Sequence, residues 1–201
     1  MTISLSDAGK RFNREWIFRH FTYAFEAGSS YAIIGPNGSG KSTLLQVLSG
    51  SMMVNEGNIQ YSRYSSESIY EQVSLCAPYL ELVEEMTLKE FLNFHKGFKP
   101  LLNGVTVSSI ISAIGLQKAA DKQIRYYSSG MKQRVKLAQC LFSDTAIVLL
   151  DEPCTNLDAE GIALYHRLIT DYAQGRLIVV SSNDEVEYRF CKKHISIIDY
   201  K

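Results

Sequence analysis

Alternating apolar and polar residues near the start of the chain predict a strand with one buried face. The segment IFRHFTYAF places Phe21, Tyr23 and Phe25 on the same side of an extended backbone. Such alternation is typical of an antiparallel sheet that covers a core on one side only. We therefore expect an antiparallel β subdomain over approximately residues 1–30.

Short, uninterrupted apolar runs follow, and they predict strands that are buried on both faces. These runs are YAII at 31–34, AIVLL at 146–150 and LIVV at 177–180. Helical patterns separate them, and this alternation of strands and helices favours an α/β fold built on a mostly parallel sheet. We expect this core to comprise residues 31–78 and 140–201.

Strand signals disappear between the two parts of the predicted core. The segments TLKEFLNFHKGF, VSSIISAIGL and SSGMKQRVKLAQCLF instead repeat their apolar residues with helical spacing. We expect an inserted, mostly helical subdomain over residues 79–139, and a single domain over 1–201, because no repeat, low-complexity tract or long linker interrupts the chain.

Composition narrows the classes of partner and the compartment. Basic and acidic residues balance at 21 each among 201 residues, so the charge gives no reason to expect nucleic acid or an anionic membrane surface. The four cysteines are widely spaced, which fits reduced thiols in a cytoplasmic protein. No apolar run is long enough to cross a bilayer, so membrane association would come through another chain.

The segment GPNGSGKST, Gly35 to Thr43, matches the phosphate-binding pattern GxxxxGK[ST] between a predicted strand and a predicted helix. Its glycines allow consecutive N–H groups to face a phosphate, and the helix N-terminus adds positive potential. Lys41 would contact the β and γ phosphates, and the Ser42 hydroxyl would bind Mg²⁺. The alternative is a glycine-rich turn that binds nothing. The predicted nucleotide-binding residues are Gly35, Pro36, Asn37, Gly38, Ser39, Gly40, Lys41, Ser42 and Thr43.

The segment AIVLLDEP ends an apolar strand in two adjacent carboxylates. Beside a phosphate loop, Asp151 would hold Mg²⁺ through water, and Glu152 would act as general base toward an attacking water. An acidic pair at a strand end is also a common signal for the start of a helix, and this alternative stays open for the pair taken alone.

Taken in order, GPNGSGKST, SSGMKQR, LLDEP and TNLD resemble the motifs of the ABC-type ATPases, the nucleotide-binding subunits of ABC transporters. The resemblance covers nearly the whole chain. It implies a P-loop NTPase core with a mostly parallel sheet, an N-terminal antiparallel β subdomain and an inserted helical subdomain. It also implies ATP and Mg²⁺ as cofactors and a dimer that encloses two nucleotides.

The resemblance assigns two loops to the dimer seam. The signature loop, which acts on the nucleotide of the partner copy, aligns with Ser128, Ser129, Gly130 and Met131; Ser129 replaces a Gly and Met131 replaces a Gln. The D-loop aligns with TNLD and places Asp158 near the seam. The alternative for Asp158 is an N-cap of the GIALYHRLIT helix, and both roles are compatible.

An aromatic residue upstream of the sheet contacts adenine in this family. Phe12 is the candidate for this stacking contact, with Trp16 as the fallback. Packing within the β subdomain is the alternative for either ring.

Two residues depart from the family pattern. Pro78 stands where a Gln normally contacts Mg²⁺ and reports nucleotide state to the membrane partner, and its side chain has no donor or acceptor. Asn183 stands where a His normally bonds the γ-phosphate. An asparagine amide can donate a hydrogen bond, but it cannot be protonated to a cation as a histidine can. We therefore predict that Asn183 preserves ATP sensing and slows turnover.

The resemblance implies an ATPase that powers a transporter, with Glu152, Lys41 and Asn183 as catalytic residues. The expected partners are a second ATPase subunit, in a homodimer or heterodimer, and an integral membrane permease contacted through residues 78–94, at the inner face of the membrane. One alternative is a low-turnover regulatory subunit that closes on ATP. Another is a soluble ABC ATPase acting on nucleic acid or ribosomes, which the neutral single unit does not favour.

Overall fold

The computed structural model describes residues 2–201, and within them it has eight strands and six α-helices. The strands are β1 Thr2–Phe12, β2 Glu15–Glu26, β3 Ser30–Ile34, β4 Glu56–Tyr61, β5 Val73–Cys76, β6 Ile147–Asp151, β7 Leu177–Ser181 and β8 Lys193–Ser196. The helices are α1 Lys41–Leu48, α2 Leu88–Lys96, α3 Val107–Ala113, α4 Ser129–Leu141, α5 Ala159–Tyr172 and α6 Glu185–Tyr188. In this part of the chain, none of the helices combines the length and apolar character that crossing a membrane requires.

The N-terminal strands form a three-stranded antiparallel sheet in the order β2-β1-β4. The predicted alternation in β2 is confirmed, because Phe21 and Phe25 are buried and Tyr23 is half-buried. Aromatic rings account for much of this face: the centroids of Phe21 and Tyr200 lie 4.4 Å apart. Ring pairs of this kind contribute about 0.5–1.5 kcal/mol beyond the burial of their area.

The five-stranded sheet has the order β5-β6-β7-β3-β8. Strand β7 lies parallel to β6 and β3, and β3 lies parallel to β8. Every residue of β6 and β7 is buried, which explains their continuous apolar sequences. The predicted α/β fold with a mostly parallel sheet and an antiparallel β sheet is therefore confirmed.

The chain forms two compact units. The first contains the described residues up to Leu75 together with Ala146–Glu152 and Gly175–Lys201. It holds both sheets, α1 and a continuous hydrophobic core. The second contains Cys76–Thr145 and Pro153–Gln174, and it includes the predicted helical segment and α5.

Side-chain caps define where the helices of the second unit begin. Thr87 and Glu90 form a reciprocal capping box at α2, and Thr106 and Ser109 form one at α3. A serine caps α4 and an aspartate caps α5, so each helix starts with some of its free N–H groups bonded.

We expect Phe21→Ala to lower the free energy of unfolding by about 3–5 kcal/mol. The substitution removes a fully buried ring and leaves a cavity that the surrounding residues fill only in part. Urea denaturation followed by circular dichroism measures this change. Met53→Ala is the control, since Met53 belongs to the same unit and is 85% exposed. Equal effects of the two substitutions would contradict the core assigned to β2.

Candidate nucleotide-binding and catalytic site

The phosphate loop, residues 35–43, leaves β3 and enters α1 directly. Lys41, the first residue of α1, is buried, and its Nζ donates to the carbonyl oxygens of Gly35 at 2.8 Å and Pro36 at 3.2 Å. A positive charge is thus held against the backbone of the loop. The N-terminus of α1 adds its own free N–H groups, so the loop has the chemistry of an anion site.

Two glycines of this loop have no space for a side chain. Gly40 has φ +101°, and a Cβ there would lie 2.3 Å from Cγ2 of Ile17. A Cβ on Gly35 would lie 2.8 Å from Cγ2 of Ile197. The close approach of the loop backbone to these two side chains therefore requires glycine, independently of any ligand.

The predicted metal ligand Asp151 is the last residue of β6 and is 1% exposed. Its Oδ1 has no hydrogen-bond partner among residues 2–201. A buried carboxylate oxygen without a donor is unfavourable unless a cation neutralises it. Asp151 and the half-buried Ser42 hydroxyl are oxygen ligands of the kind that Mg²⁺ prefers, so these residues fit a magnesium ion.

Two further buried hydroxyls of the first unit lack partners in the described part of the chain. They belong to Ser39, within the phosphate loop, and Ser181, the last residue of β7. Buried polar atoms are nearly always hydrogen-bonded, so these two indicate a polar ligand in their surroundings. The sequence predicted Ser39 only as a residue of the phosphate loop and assigned no role to Ser181. The position of Ser181 at the end of an apolar strand was the signal in the sequence that could have indicated a site residue.

Glu152, the predicted general base, has a backbone conformation that is uncommon outside glycine, with φ +43°. Its N–H donates to the carbonyl of Ser181 at 2.9 Å. Hydrogen-bonding between β6 and β7 thus continues one residue past Asp151 and restrains the main chain at Glu152. A left-handed non-glycine residue beside a buried carboxylate, here that of Asp151, is typical of functional sites.

Asn183 follows β7 and reaches the phosphate loop. Its Nδ2 donates to Oδ1 of Asn37 at 3.2 Å, and the preceding residue, Ser182, donates its N–H to the carbonyl of Ile33 at 3.2 Å. The sequence predicted that Asn183 faces the γ-phosphate. The contact with Asn37 brings the two predicted site residues together, and the phosphate contact itself stays a prediction.

The signature loop, Ser128 to Met131, lies at the start of α4 in the second unit. The Ser128 hydroxyl accepts a hydrogen bond from the Met131 N–H at 3.3 Å. A Cβ on Gly130 would lie 3.1 Å from the carbonyl oxygen of Asn156, which explains a small residue there. The signature loop and the TNLD segment line one cleft of about 350 Å³. Its lining residues are Ser128, Ser129, Gly130, Met131, Arg134, Asn156, Leu157 and Asp158.

Asp158 caps α5, as its N-cap interpretation predicted. Its Oδ1 accepts a hydrogen bond from the Gly161 N–H at 2.8 Å. Nη2 of Arg134, from α4, lies 3.8 Å from Oδ1 of Asp158 and 3.8 Å from Oε1 of Glu160, so one guanidinium group lies near two exposed carboxylates at the start of α5. The role of Asp158 at a dimer seam stays a prediction.

The two candidate adenine-stacking rings lie in different surroundings. Phe12 is 46% exposed at the end of β1, and Lys10 Nζ lies 5.4 Å from its ring centroid. Trp16 already has two guanidinium partners, Arg11 at 5.3 Å and Arg19 at 4.6 Å from its ring centroid. Phe12 is the more exposed of the two rings, and its stacking role stays a prediction.

Pro78 lies in the second unit, and its main chain forms a hydrogen bond with a side chain of α4. The carbonyl of Pro78 accepts a hydrogen bond from Lys136 Nζ at 2.8 Å. The segment that lacks the family glutamine is therefore anchored by a lysine through its main chain.

Comparisons with known proteins agree on one family. A family model described as ABC transporter matches residues 18–155. The uncharacterized ABC transporter ATP-binding protein YybJ of Bacillus subtilis (strain 168) is 29% identical over 185 residues, covering 90% of this chain and 85% of the relative. The cytochrome c biogenesis ATP-binding export protein CcmA of Rhodopseudomonas palustris (strain HaA2) is 32% identical over 171 residues, covering 83% of this chain and 84% of the relative.

The fold is also that of a solved ATP-binding cassette. The dimeric structure of a post-hydrolysis state of MJ0796, bound to ADP and Pi, superimposes with a TM-score of 0.82. The two sequences are 20% identical, and the match covers 96% of this chain and 93% of the other.

We expect Gly40→Ala to destabilise the protein more than Gly38→Ala. Both positions have positive φ, which disfavours alanine by about 1–2 kcal/mol, but a Cβ on Gly38 would meet nothing within 4 Å. The clash with Ile17 should add about 1–3 kcal/mol at Gly40. Urea denaturation without nucleotide measures both variants. Equal destabilisation would show that the crowding at Gly40 relaxes freely.

Proposed function

The chain belongs to the ABC transporter family as an ATP-binding subunit, and from this premise we propose how its own residues bind ATP with Mg²⁺ and hydrolyse it to drive transport. One observation supports the proposal most. The register of β3, β6 and β7 aligns their C-terminal ends, so that the phosphate loop, Asp151 and the Ser181–Asn183 segment leave the same edge of the sheet.

In the proposed complex, the phosphate loop surrounds the β and γ phosphates with its backbone N–H groups. Lys41 exchanges its carbonyl partners for phosphate oxygens, which are stronger acceptors because they are charged. The exposed ring of Phe12 stacks on adenine. The unpaired hydroxyl of Ser39 gains a phosphate acceptor.

Ser42 and Asp151 hold Mg²⁺ in this proposal. When bound, the ion neutralises negative charge on the phosphate oxygens. The unpaired Oδ1 of Asp151 supports this assignment, because a buried anionic oxygen requires a positive neighbour.

Glu152 is the proposed general base. Its carboxylate accepts a proton from water while the water oxygen bonds to the γ-phosphorus and the bond to the bridging oxygen of ADP breaks. The hydrogen bond from the Glu152 N–H to the Ser181 carbonyl restrains the main chain that carries this carboxylate. Phosphoryl transfer needs little covalent assistance, so correct placement of Glu152 and Lys41 supplies most of what the protein contributes.

We propose that two copies, or one copy and a related subunit, enclose the nucleotides. The cleft formed by the signature loop and Asp158 has small residues and the N-terminus of a 13-residue helix, both suited to a phosphate on the partner copy. The dimeric form of MJ0796 supports an assembly of this kind.

The proposed membrane partner is an integral permease, which would keep the subunit at the inner face of the cell membrane. A cleft of about 360 Å³ in the second unit is a candidate contact for a short permease segment. Pro78, Glu81, Glu84, Lys132 and Lys136 contribute to its lining. The CcmA relative is an ATP-binding export protein, which supports a transport function without identifying a substrate.

Pro78 and Asn183 also support a second candidate, a subunit that closes on ATP with little turnover. The hypothesis of a regulatory subunit differs from the hypothesis of an ATP-hydrolysing subunit in one measurable respect. Only the enzyme requires Glu152 for steady-state release of phosphate.

We expect Glu152→Gln to lower ATP turnover by about 10²–10⁴-fold, because glutamine cannot accept the proton from water. ATP affinity should stay unchanged, since the phosphate loop is intact. Phosphate release and binding of a fluorescent ATP analogue measure the two quantities. Glu67→Gln is the control, since Glu67 is exposed and lies in the first unit. Parent turnover equal to that of Glu152→Gln would favour the regulatory subunit.

We expect Asn183→Ala to weaken the ATP complex by about 1.5–3 kcal/mol, the usual contribution of a hydrogen bond to a charged group. Asn183→His should raise turnover above that of the parent, because histidine adds a positive or titratable donor. Nucleotide titration and phosphate release measure both effects. Asn103→Ala, at an exposed loop position, is the control. If Asn183→Ala matches the parent in affinity and rate, Asn183 is only a loop residue.

A further inference from the structure

Gln133 is a buried polar side chain to which the proposed reaction assigns no task. It lies on α4, is 3% exposed, and belongs to the second unit. Its Nε2 donates to the carbonyl oxygen of Pro153 at 2.7 Å and lies 3.8 Å from the thiol sulfur of Cys76. A buried amide with a short bond to a buried main-chain oxygen is a specific contact, because either group alone would be unfavourable.

The carbonyl that Gln133 binds is close in the chain to the proposed general base. Pro153 directly follows Glu152, so the two share a peptide bond. The Glu152 N–H is held by Ser181 on one side, and the proline ring fixes φ of residue 153 on the other. The remaining freedom includes rotation of the main chain about ψ of Glu152 and ψ of Pro153. The bond from Gln133 restrains it.

Glu152 needs such restraint because its conformation is not one that a free chain prefers. Its φ is +43°, and a following proline restricts the conformations of the preceding residue further. A strained residue persists only where its surroundings determine it. The bond to Ser181 determines its N-terminal side, and the bond from Gln133 to Pro153 determines its C-terminal side.

We propose that Gln133 is a positioning residue that acts through Pro153 to hold the Glu152 carboxylate where it takes the proton from water. The inference rests on the proposed function, since it requires Glu152 to be the general base. In the proposed mechanism, Gln133 itself touches neither ATP nor the attacking water. Its contribution is the N–H that it donates.

The donor can be removed in two ways that differ in their response to pH. Gln133→Met keeps the length of the side chain and has no donor at any pH. Gln133→Glu keeps the shape, and its carboxylate cannot donate. Burial opposite a carbonyl oxygen raises the pKa of such a carboxyl, and its protonated form again offers an O–H to Pro153. Lowering the pH should therefore restore the bond in Gln133→Glu only.

The experiment measures kcat, KM and ATP-analogue affinity for the parent, Gln133→Met and Gln133→Glu between about pH 6 and pH 8, with thermal melting as a check of folding. Gln139→Met is the matched control, because it makes the same change on the same helix. We expect kcat at the higher pH to fall by about 10–100-fold in both Gln133 variants, with affinity unchanged. At the lower pH, Gln133→Glu should recover relative to Gln133→Met.

Unchanged kcat in folded Gln133→Met, or parallel pH profiles for the two variants, would overturn the positioning role. Failure of both variants to fold would also overturn it, because Gln133 would then support the fold rather than the reaction. Parent protein without Glu152-dependent turnover would overturn both this inference and the proposed function. Turnover in the parent that neither Gln133 variant alters would leave the proposed function intact.

Discussion

The parallel hydrogen-bonding of β3, β6 and β7 is the constraint on which the site in the first unit depends. Ser181 of β7 pairs with Asp151 on one side and with Ile33 on the other. A slip of one residue would turn every side chain of a strand toward the opposite face and would move Asp151 away from Ser181. The register of the strands therefore sets the alignment of the polar groups that follow them.

The same edge collects features that are locally unfavourable. Glu152 has positive φ, and the Oδ1 of Asp151 lacks a partner among the described residues. Neither feature would persist in an isolated loop. They persist because the sheet and its core over-determine the backbone on either side. Local strain and unpaired oxygens thus lie where a charged ligand is expected, and the apolar core supplies the stability that offsets them.

Sequence patterns predicted the parts of the molecule whose causes are local. The strands YAII, AIVLL and LIVV, and the loop GPNGSGKST, follow from short stretches of residues and their flanks. The contacts of Asn183 with Asn37 and of Gln133 with Pro153 join residues distant in the chain. Such contacts depend on register, helix rotation and turn geometry, which no local pattern specifies.

The two departures from the family pattern replace a side chain in different ways. At Pro78 the side-chain amide of a glutamine is absent, and a lysine bonds the main chain instead. At Asn183 a titratable ring is absent, and a neutral amide bonds the Asn37 side chain. The amide of Asn183 does not change charge between pH 5 and 8, whereas a histidine does. In the proposed mechanism, a contact from Asn183 to ATP would therefore stay constant over this range.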